Sequence, residues 1–291
     1  MRSTLPKFDY IAPESLKEAL RALSDKKGAA VLIAGGTDLL IKMRARKLTP
    51  AFLIGLKKVK ELNFIEFDAK NGLTIGATAL IADVASHPEI KKHYPAIAYA
   101  AAETATVQIR NMGTFVGNLC NASPAADNAP TAIAMNARIK LASLRQEREI
   151  SLDEFFIGPG KTALAADEMV VSVNIPQPPP HSGASYKHIS QRSKVDIPAA
   201  AVGAAVVMAG EVCKEARIAL GAVAPIPMRA LKTEKLLTGK RLTRKLIEEA
   251  AQQAAKECAP ISDVRASADY RRKMIAVLTK RAILEAKERA K

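Results

Sequence analysis

Two stretches of the sequence combine glycine with short polar side chains. Residues 34–40, AGGTDLL, directly follow an apolar run at 31–33. Residues 113–130, GTFVGNLCNASPAADNAP, carry further glycines together with Ser123 and Asp127. Backbone N–H groups that no side chain covers can approach a phosphate, and short polar groups can bond to phosphate or ribose hydroxyls. The two stretches therefore predict a binding site for a phosphate-bearing ligand.

Other catalytic motifs are weak or absent. A glycine pair at a turn is more often structural, and the GxGxxG dinucleotide motif does not occur. FFIGPGKT ends like a phosphate-binding P-loop, but Phe155 stands where the first glycine is required and Pro159 lacks an N–H group. The four histidines share no metal-ligand spacing, and no nucleophile motif is present. No catalytic residue or metal ligand is assigned, so any chemistry requires a cofactor.

The composition is that of a globular protein with a strongly basic balance. The chain has 291 residues, is 48% hydrophobic, and its 44 Lys+Arg against 29 Asp+Glu give a net charge of +15. That charge suits nucleic acid, an acidic partner subunit or a phosphate-bearing ligand. Aromatic residues make up only 4% of the chain and no nucleic-acid motif occurs, which favours a solvated basic face over nucleic-acid binding.

Cysteine usage and hydropathy indicate a cytoplasmic protein without a membrane span. Cys120, Cys213 and Cys258 are odd in number, lie far apart and form no CxxC pair, which argues against a disulfide framework or a zinc site. The N-terminal residues lack the apolar run of a secretion signal, and the longest nearly apolar stretch, from Ile197, is too short to span a bilayer.

The hydrophobic pattern predicts alternating helices and strands in the first part of the chain. Residues 13–24 predict a helix in which Ser15 and Glu18 have the spacing of a capping box. Strands are predicted at 31–33 and 73–75. Helices are predicted from about Ile81 and over 94–105.

From residue 138 the pattern becomes typical of β-structure. Residues 137–144 and 169–176 predict strands, and the proline-rich segment 177–183 predicts a linker at a domain boundary. Beyond this linker, three apolar runs predict a small antiparallel sheet. Helices are predicted over 241–257 and 269–289.

Four segments, in order, resemble one protein family: AGGTDLL, QIRNMGTFVGNLCNASPAADNAP, FFIGPGKTAL and DVRASADYRRKM. They are similar to those of the FAD-binding medium subunits of molybdenum hydroxylases, which include carbon monoxide, xanthine and aldehyde dehydrogenases. The resemblance spans essentially the whole chain. It implies an α+β fold with a two-lobed FAD-binding domain of the vanillyl-alcohol-oxidase (PCMH) type, lobes 1–57 and 58–178. A smaller α+β C-terminal domain, 184–291, with an antiparallel sheet and helices would follow.

The same resemblance implies which residues contact FAD. They comprise a first pyrophosphate loop, a second such loop with polar residues after it, and two residues near the flavin ring. In that order they are Ile33, Ala34, Gly35, Gly36, Thr37, Asp38 and Leu39; Thr114, Phe115, Val116, Gly117, Asn118, Ser123 and Asp127; and Val170 and Lys187. Asp127 is expected to bind the adenosine ribose. Val116 departs from the usual second glycine, so its Cβ either crowds the diphosphate or points into the core.

The function implied is that of an electron-transfer oxidoreductase subunit. Its partners would be an iron-sulfur small subunit and a molybdenum-cofactor large subunit, and its acceptor a molecule such as NAD. A related subtype with an inserted four-cysteine loop is disfavoured, because only Cys120 lies near that place. Two alternatives remain. A stand-alone FAD-dependent reductase on the same domain needs a proton donor that the sequence does not reveal. A basic, non-enzymatic binding protein leaves both glycine stretches without a role.

Overall fold

The computed structural model describes residues 4–192 and 195–291. Its first lobe is a three-stranded parallel sheet with two helices. The elements are β1 (Asp9–Ile11), α1 (Leu16–Asp25), β2 (Ala30–Ile33), α2 (Leu39–Arg44) and β3 (Phe52–Gly55). The strand order is β1-β3-β2. Residues 34–38 therefore lie at the carboxyl end of β2, the edge of a parallel sheet where ligands usually bind.

Helix α1 begins as its sequence predicts. The side chain of Ser15 accepts a hydrogen bond from the backbone N–H of Glu18, at 3.2 Å. Its apolar face, with Ala19, Leu20 and Leu23, is buried in the core. A capping serine followed by a regular apolar face is enough to place this helix from sequence alone.

The second lobe is built on a five-stranded antiparallel sheet with helices between its strands. Its strands are β4 (Ile65–Asp68), β5 (Gly72–Gly76), β6 (Arg138–Ala142), β7 (Glu147–Ser151) and β10 (Met169–Ile175), with a hairpin of β8 (Phe156–Gly158) and β9 (Lys161–Thr162). Its helices are α3 (Ile81–Ser86), α4 (Pro88–His93), α5 (Pro95–Glu103), α6 (Val107–Arg110), α7 (Phe115–Cys120), α8 (Asn128–Ala134) and α9 (Leu152–Phe155). The strand order is β4-β5-β10-β6-β7. The predicted strands at 73–75, 137–144 and 169–176 are confirmed.

The segment that ends like a P-loop forms the hairpin β8–β9. Gly160 adopts φ +69° at its turn, and its N–H donates to the carbonyl of Ala122 at 2.9 Å. That N–H is therefore engaged by the protein itself and does not serve a phosphate.

One hydrophobic core joins the two lobes. It includes Leu20 and Ile54 from the first lobe and Ile75, Phe115 and Val173 from the second, all 7% exposed or less. Because the lobes share this core, the loops that emerge from each are held in a fixed relation.

The C-terminal part contains an antiparallel sheet with helices, as predicted. Its elements are β11 (Ser182–Ile189), β12 (Ala200–Ala209), β13 (Val212–Gly221), β14 (Met228–Arg229), α10 (Leu231–Leu237), α11 (Arg244–Glu257) and α12 (Ala268–Arg289). The strands pair in sequence order. Strand β11 begins within the predicted linker. A Cβ on Gly183 would lie 2.1 Å from the carbonyl oxygen of Ala286, so glycine allows this strand to touch α12.

The C-terminal sheet packs directly on helix α8. A Cβ on Gly203 would lie 2.3 Å from the carbonyl oxygen of Pro130. The N–H of Ala222 donates to the carbonyl of Pro124 at 2.7 Å. The strands β12 and β13 thus fix the segment that carries Ser123 and Asp127. Among the described residues, no helix has the length and apolarity needed to cross a membrane.

Candidate functional site

A cleft of about 870 Å³ lies where the first lobe, the second lobe and part of the C-terminal domain meet. Fourteen of the sixteen residues predicted to contact FAD line it. They are Ile33, Ala34, Gly35, Gly36, Thr37, Asp38, Leu39, Thr114, Val116, Gly117, Asn118, Ser123, Asp127 and Val170. Two stretches some 80 positions apart in the chain therefore line one cleft.

The first loop, residues 34–38, presents N–H groups to this cleft. The backbone N–H groups of Gly35, Gly36 and Thr37 donate no hydrogen bond to any residue that the structure describes. Gly36 has φ +71°. This conformation is unfavourable for a residue with a side chain, but glycine adopts it freely. A cluster of N–H groups without protein acceptors fits an anionic ligand such as a diphosphate.

The second loop comprises residues 114–118. The first loop touches the segment just before it. A Cβ on Gly35 would lie only 2.1 Å from the carbonyl oxygen of Met112. Both partners in this contact are backbone, so neither can rotate away. The absence of a side chain at Gly35 is therefore what allows the two loops to share one cleft.

The second loop is the first turn of helix α7. The side chain of Thr114 accepts a hydrogen bond from the N–H of Gly117 at 3.0 Å and so caps the helix. Phe115 and Val116 are buried in the core, at 0% and 2% exposure. The side chain of Val116 thus packs into the core, which is the second of the two possibilities that its place in the sequence raised.

Asn118 is oriented by its neighbours. The side-chain amide of Asn128 donates to the side-chain oxygen of Asn118 at 3.0 Å, and to the hydroxyl of Thr104 at 3.3 Å. With its oxygen engaged, the side-chain amide N–H groups of Asn118 donate to none of the described residues and are available in the cleft.

Asp127 is a buried carboxylate that lines the cleft. It is 8% exposed, and the hydroxyl of Tyr186 donates to its Oδ1 at 2.9 Å. Burial raises the pKa of Asp127 to about 7, although the hydrogen bond from Tyr186 lowers it. A carboxylate in this position can accept hydrogen bonds from ribose hydroxyls.

Comparison with known families agrees with this geometry over nearly the whole chain. Residues 6–178 match the family described as the FAD binding domain in molybdopterin dehydrogenase. Residues 184–286 match the CO dehydrogenase flavoprotein C-terminal domain. The chain belongs to the FAD-binding medium subunits of the molybdenum hydroxylase family.

Individual relatives match nearly the whole chain. The glyceraldehyde dehydrogenase medium chain of Sulfolobus acidocaldarius is 33% identical over 280 residues, 96% of this chain and 98% of the relative. The xanthine dehydrogenase FAD-binding subunit of Escherichia coli O157:H7 is 30% identical over 278 residues, 95% of each. A chain of the carbon monoxide dehydrogenase of Hydrogenophaga pseudoflava, solved in a form lacking the Mo-pyranopterin moiety of the molybdenum cofactor, superposes with a TM-score of 0.94. That chain is 32% identical, with 98% of this chain and 99% of the other covered.

The medium subunit is therefore an oxidoreductase flavoprotein subunit that binds FAD. Its cleft fits that cofactor on three counts. The volume lies in the range of ligand-binding pockets. The first loop offers N–H groups for which the described part of the chain supplies no acceptor, and Asp127 offers a carboxylate. The predicted fold, a two-lobed FAD-binding domain followed by a C-terminal domain, is confirmed by the same matches.

Two residues predicted to contact FAD do not line the cleft of the medium subunit. Phe115 is fully buried in the core. Lys187 lies on β11, where its ammonium group forms an ion pair with Glu285 of α12. The structure does not bring Lys187 to the cleft, and its place near the flavin ring stays a prediction.

Some cleft residues were not assigned from the sequence. Part of the lining comes from Leu164 to Ala166, which follow the hairpin, and from the C-terminal domain, where Arg192, Ile197 and Arg265 contribute. Leu164 and Arg265 lie within motifs that carry the family resemblance, which is the signal that could have singled them out. Arg265 is anchored through Asp263, which accepts from the Arg265 N–H at 2.8 Å and from Arg271 at 2.7 Å.

Proposed function

We propose that this medium subunit is the electron-transfer subunit of a multi-subunit molybdenum hydroxylase. In that complex it would pass electrons from an iron-sulfur small subunit to an acceptor such as NAD, and substrate oxidation would occur on a molybdenum-cofactor large subunit. The observation that carries the proposal is the cleft, in which N–H groups without an acceptor among the described residues meet a buried carboxylate. FAD supplies reversible uptake and release of electrons when bound.

Each group of cleft residues has a distinct role in this proposal. The N–H groups of Gly35, Gly36 and Thr37 bind diphosphate oxygens, with Asn118 as a further donor. Asp127 binds the adenosine ribose. Val170, at 5% exposure on β10, gives the cleft an apolar surface on which a flavin ring can pack.

The proposed organisation follows the three sheets. We propose the first lobe at 1–57, the second lobe at 58–178 and the C-terminal domain at 184–291, since these ranges follow the three sheets of three or more strands, apart from Ser182 and Gly183 at the start of β11. A cytoplasmic location, predicted from cysteine usage, belongs to the same proposal.

The first test is FAD binding by the purified medium subunit. We expect the visible absorption of bound flavin after incubation with FAD and removal of the excess. Asp127→Ala should weaken binding by about tenfold or more, because hydrogen bonds to charged groups contribute about 1.5–3 kcal/mol. Asp83→Ala is the matched control, because Asp83 is an exposed carboxylate outside the cleft. Equal loss in both variants would contradict a specific role for Asp127.

The second test is electron transfer. Under anaerobic conditions, NADH should bleach the visible absorption of the flavin bound to the medium subunit, since the proposed reaction with NAD is reversible. A reduced iron-sulfur partner subunit, added separately, should do the same. Bleaching by the partner but not by NADH would show that another acceptor is used. Bleaching by neither would contradict the electron-transfer role while leaving FAD binding intact.

A further inference from the structure

One buried hydrogen bond connects the C-terminal domain to the FAD site. Tyr186 lies on β11, is 1% exposed, and donates its hydroxyl to Asp127 Oδ1 at 2.9 Å. Asp127 lies just before α8, in the part of the chain that matches the FAD-binding domain. The bond therefore joins residues 59 positions apart that belong to different matched domains.

The two oxygens of Asp127 have different surroundings. Asp127 stands at the N-cap position of α8 but makes no side-chain capping bond. Its Oδ1 accepts from Tyr186, whereas no side chain that the structure describes donates to its Oδ2. Because Asp127 also lines the cleft, one oxygen is held by the protein while the other remains to bind a ligand.

Tyr186 is itself held in place. Its ring stacks on His188, with centroids 5.4 Å apart and an interplanar angle of 10°. His188 in turn lies 3.4 Å from the carboxylate of Glu103. Burial, followed by the charge of Asp127, raises the pKa of Tyr186 well above its usual value. The hydroxyl therefore keeps its proton and acts as a donor over the whole physiological range.

We propose that Tyr186 is a positioning residue of the FAD site, whose hydroxyl holds the Asp127 carboxylate in the orientation that binds the ribose. The inference rests on the proposed role of Asp127 and deepens it, since it makes the C-terminal domain part of the adenosine end of the site. Without the Tyr186 hydroxyl, Asp127 has no protein donor to fix its rotamer among the described side chains. It also loses the contact that favours its charged form.

This arrangement makes FAD binding dependent on pH. Burial raises the pKa of Asp127 to about 7, the Tyr186 hydrogen bond lowers it, and the charge of Glu103 raises it. The Nε2 atom of His188 lies 3.4 Å from the Glu103 carboxylate. Above this pKa the carboxylate is charged and accepts ribose hydroxyls, while below it the acid binds them less well. FAD affinity should therefore fall as pH falls through about 7. Removal of the Tyr186 hydroxyl should move this transition to higher pH.

Tyr186→Phe tests the inference, because it removes one oxygen and keeps the ring. The FAD dissociation constant is measured by flavin fluorescence between about pH 6 and pH 9, a range that brackets the raised pKa of Asp127. We expect a loss of about tenfold at neutral pH, as for a hydrogen bond to a charged group, together with a midpoint at higher pH than in the wild type. Tyr94→Phe is the matched control. Tyr94 is also buried, and its hydroxyl lies 3.3 Å from the carbonyl oxygen of Ile175, but it does not line the cleft.

Asp127→Asn provides a second variant that does not depend on the folding of Tyr186→Phe. Its FAD affinity should lose the transition near neutral pH, because no ionisable group remains at that position. Addition of Tyr186→Phe in this background should cost much less than in the wild type, since residues that act through one contact are not additive.

Three results would overturn the positioning role. They are an unchanged affinity and pH midpoint in Tyr186→Phe, an unchanged midpoint in Asp127→Asn, or full additivity of the two substitutions. A wild-type subunit that binds no FAD would instead overturn the proposed function itself. A wild type that binds FAD beside an unaffected Tyr186→Phe would overturn only the inference about Tyr186.

Discussion

The two loops of the cleft satisfy their backbone groups in different ways. In the first loop, residues 34–38, the N–H groups of Gly35, Gly36 and Thr37 have no acceptor among the described residues. In the second loop, residues 114–118, the N–H of Gly117 is bonded to the Thr114 side chain. A buried N–H group without an acceptor costs free energy unless water or a ligand accepts a hydrogen bond from it. The first loop is thus shaped for an anion, whereas the second is stabilised by its own cap.

The anchoring of the loops differs as well. The second loop carries Phe115 and Val116 into the core, so its position is set by packing. The first loop is held by β2 on one side and by the contact of Gly35 with Met112 on the other. Core packing therefore fixes the position of the second loop, and the contact between Gly35 and Met112 positions the first loop beside it.

Gly35→Ala is expected to have the largest effect, because it breaks the contact between the loops. The new Cβ would lie 2.1 Å from the Met112 carbonyl oxygen, and only backbone movement can relieve that overlap. Overpacking of this kind costs about 1–3 kcal/mol. The displaced N–H groups should also weaken FAD binding by at least about a hundredfold, because several hydrogen bonds to the charged diphosphate are lost together. Flavin content and thermal unfolding measure the two effects.

The control for this substitution is Gly158→Ala on strand β8. A Cβ at Gly158 would meet only the Lys161 side chain, at 3.8 Å, and Gly158 has no positive φ. This variant should keep both its flavin and its thermal stability. A Gly35→Ala protein with a normal flavin content would show that the first loop does not depend on the second.

Thr114→Val is expected to have an intermediate effect, because it removes the cap of the second loop while keeping the side-chain shape. Loss of a capping oxygen costs about 1–2 kcal/mol, and the N–H of Gly117 loses its partner. The unfolding temperature should fall by a few degrees, about 2–4 °C per kcal/mol for a domain of this size. FAD affinity should fall less than in Gly35→Ala, since Val116 and Phe115 still anchor the loop.

Thr114→Ser separates the cap from the packing of the methyl group. Serine keeps the hydroxyl that accepts from Gly117 and should retain most of the stability lost in Thr114→Val. If both variants are equally destabilised, the methyl group rather than the cap stabilises the second loop, and the contrast between the loops does not hold.

The same contrast explains what the sequence could predict. Local signals placed α1, β2 and β10, because a capping serine or an apolar run determines each of them within a few residues. The glycine pair of the first loop was also visible locally. The second stretch was expected to be a pyrophosphate loop, and in the structure it forms the start of helix α7, where Phe115 and Val116 contact the core.

Contacts between distant segments could not be predicted from local sequence patterns. The bond between Tyr186 and Asp127 and the position of Arg265 at the cleft depend on how the C-terminal sheet packs against α8. The linker prediction extended too far for the same reason, since Ser182 and Gly183 join β11 through pairing with β12 and contact with α12. Proline content marks where a chain cannot form a helix, but it does not mark where a strand finds its partner.

Lys187→Met is expected to have the smallest effect and extends the contrast to the C-terminal domain. Lys187 and Tyr186 are neighbours on β11, where their side chains point to opposite faces. Tyr186 bonds to Asp127, whereas Lys187 pairs with Glu285. A partly exposed ion pair contributes about 0–1 kcal/mol, so FAD affinity should stay within about twofold of the wild type. The flavin dissociation constant and absorption spectrum measure this, with Tyr186→Phe as the comparison. A tenfold loss or a shifted spectrum in Lys187→Met would place the lysine beside the flavin ring, as the family resemblance implies.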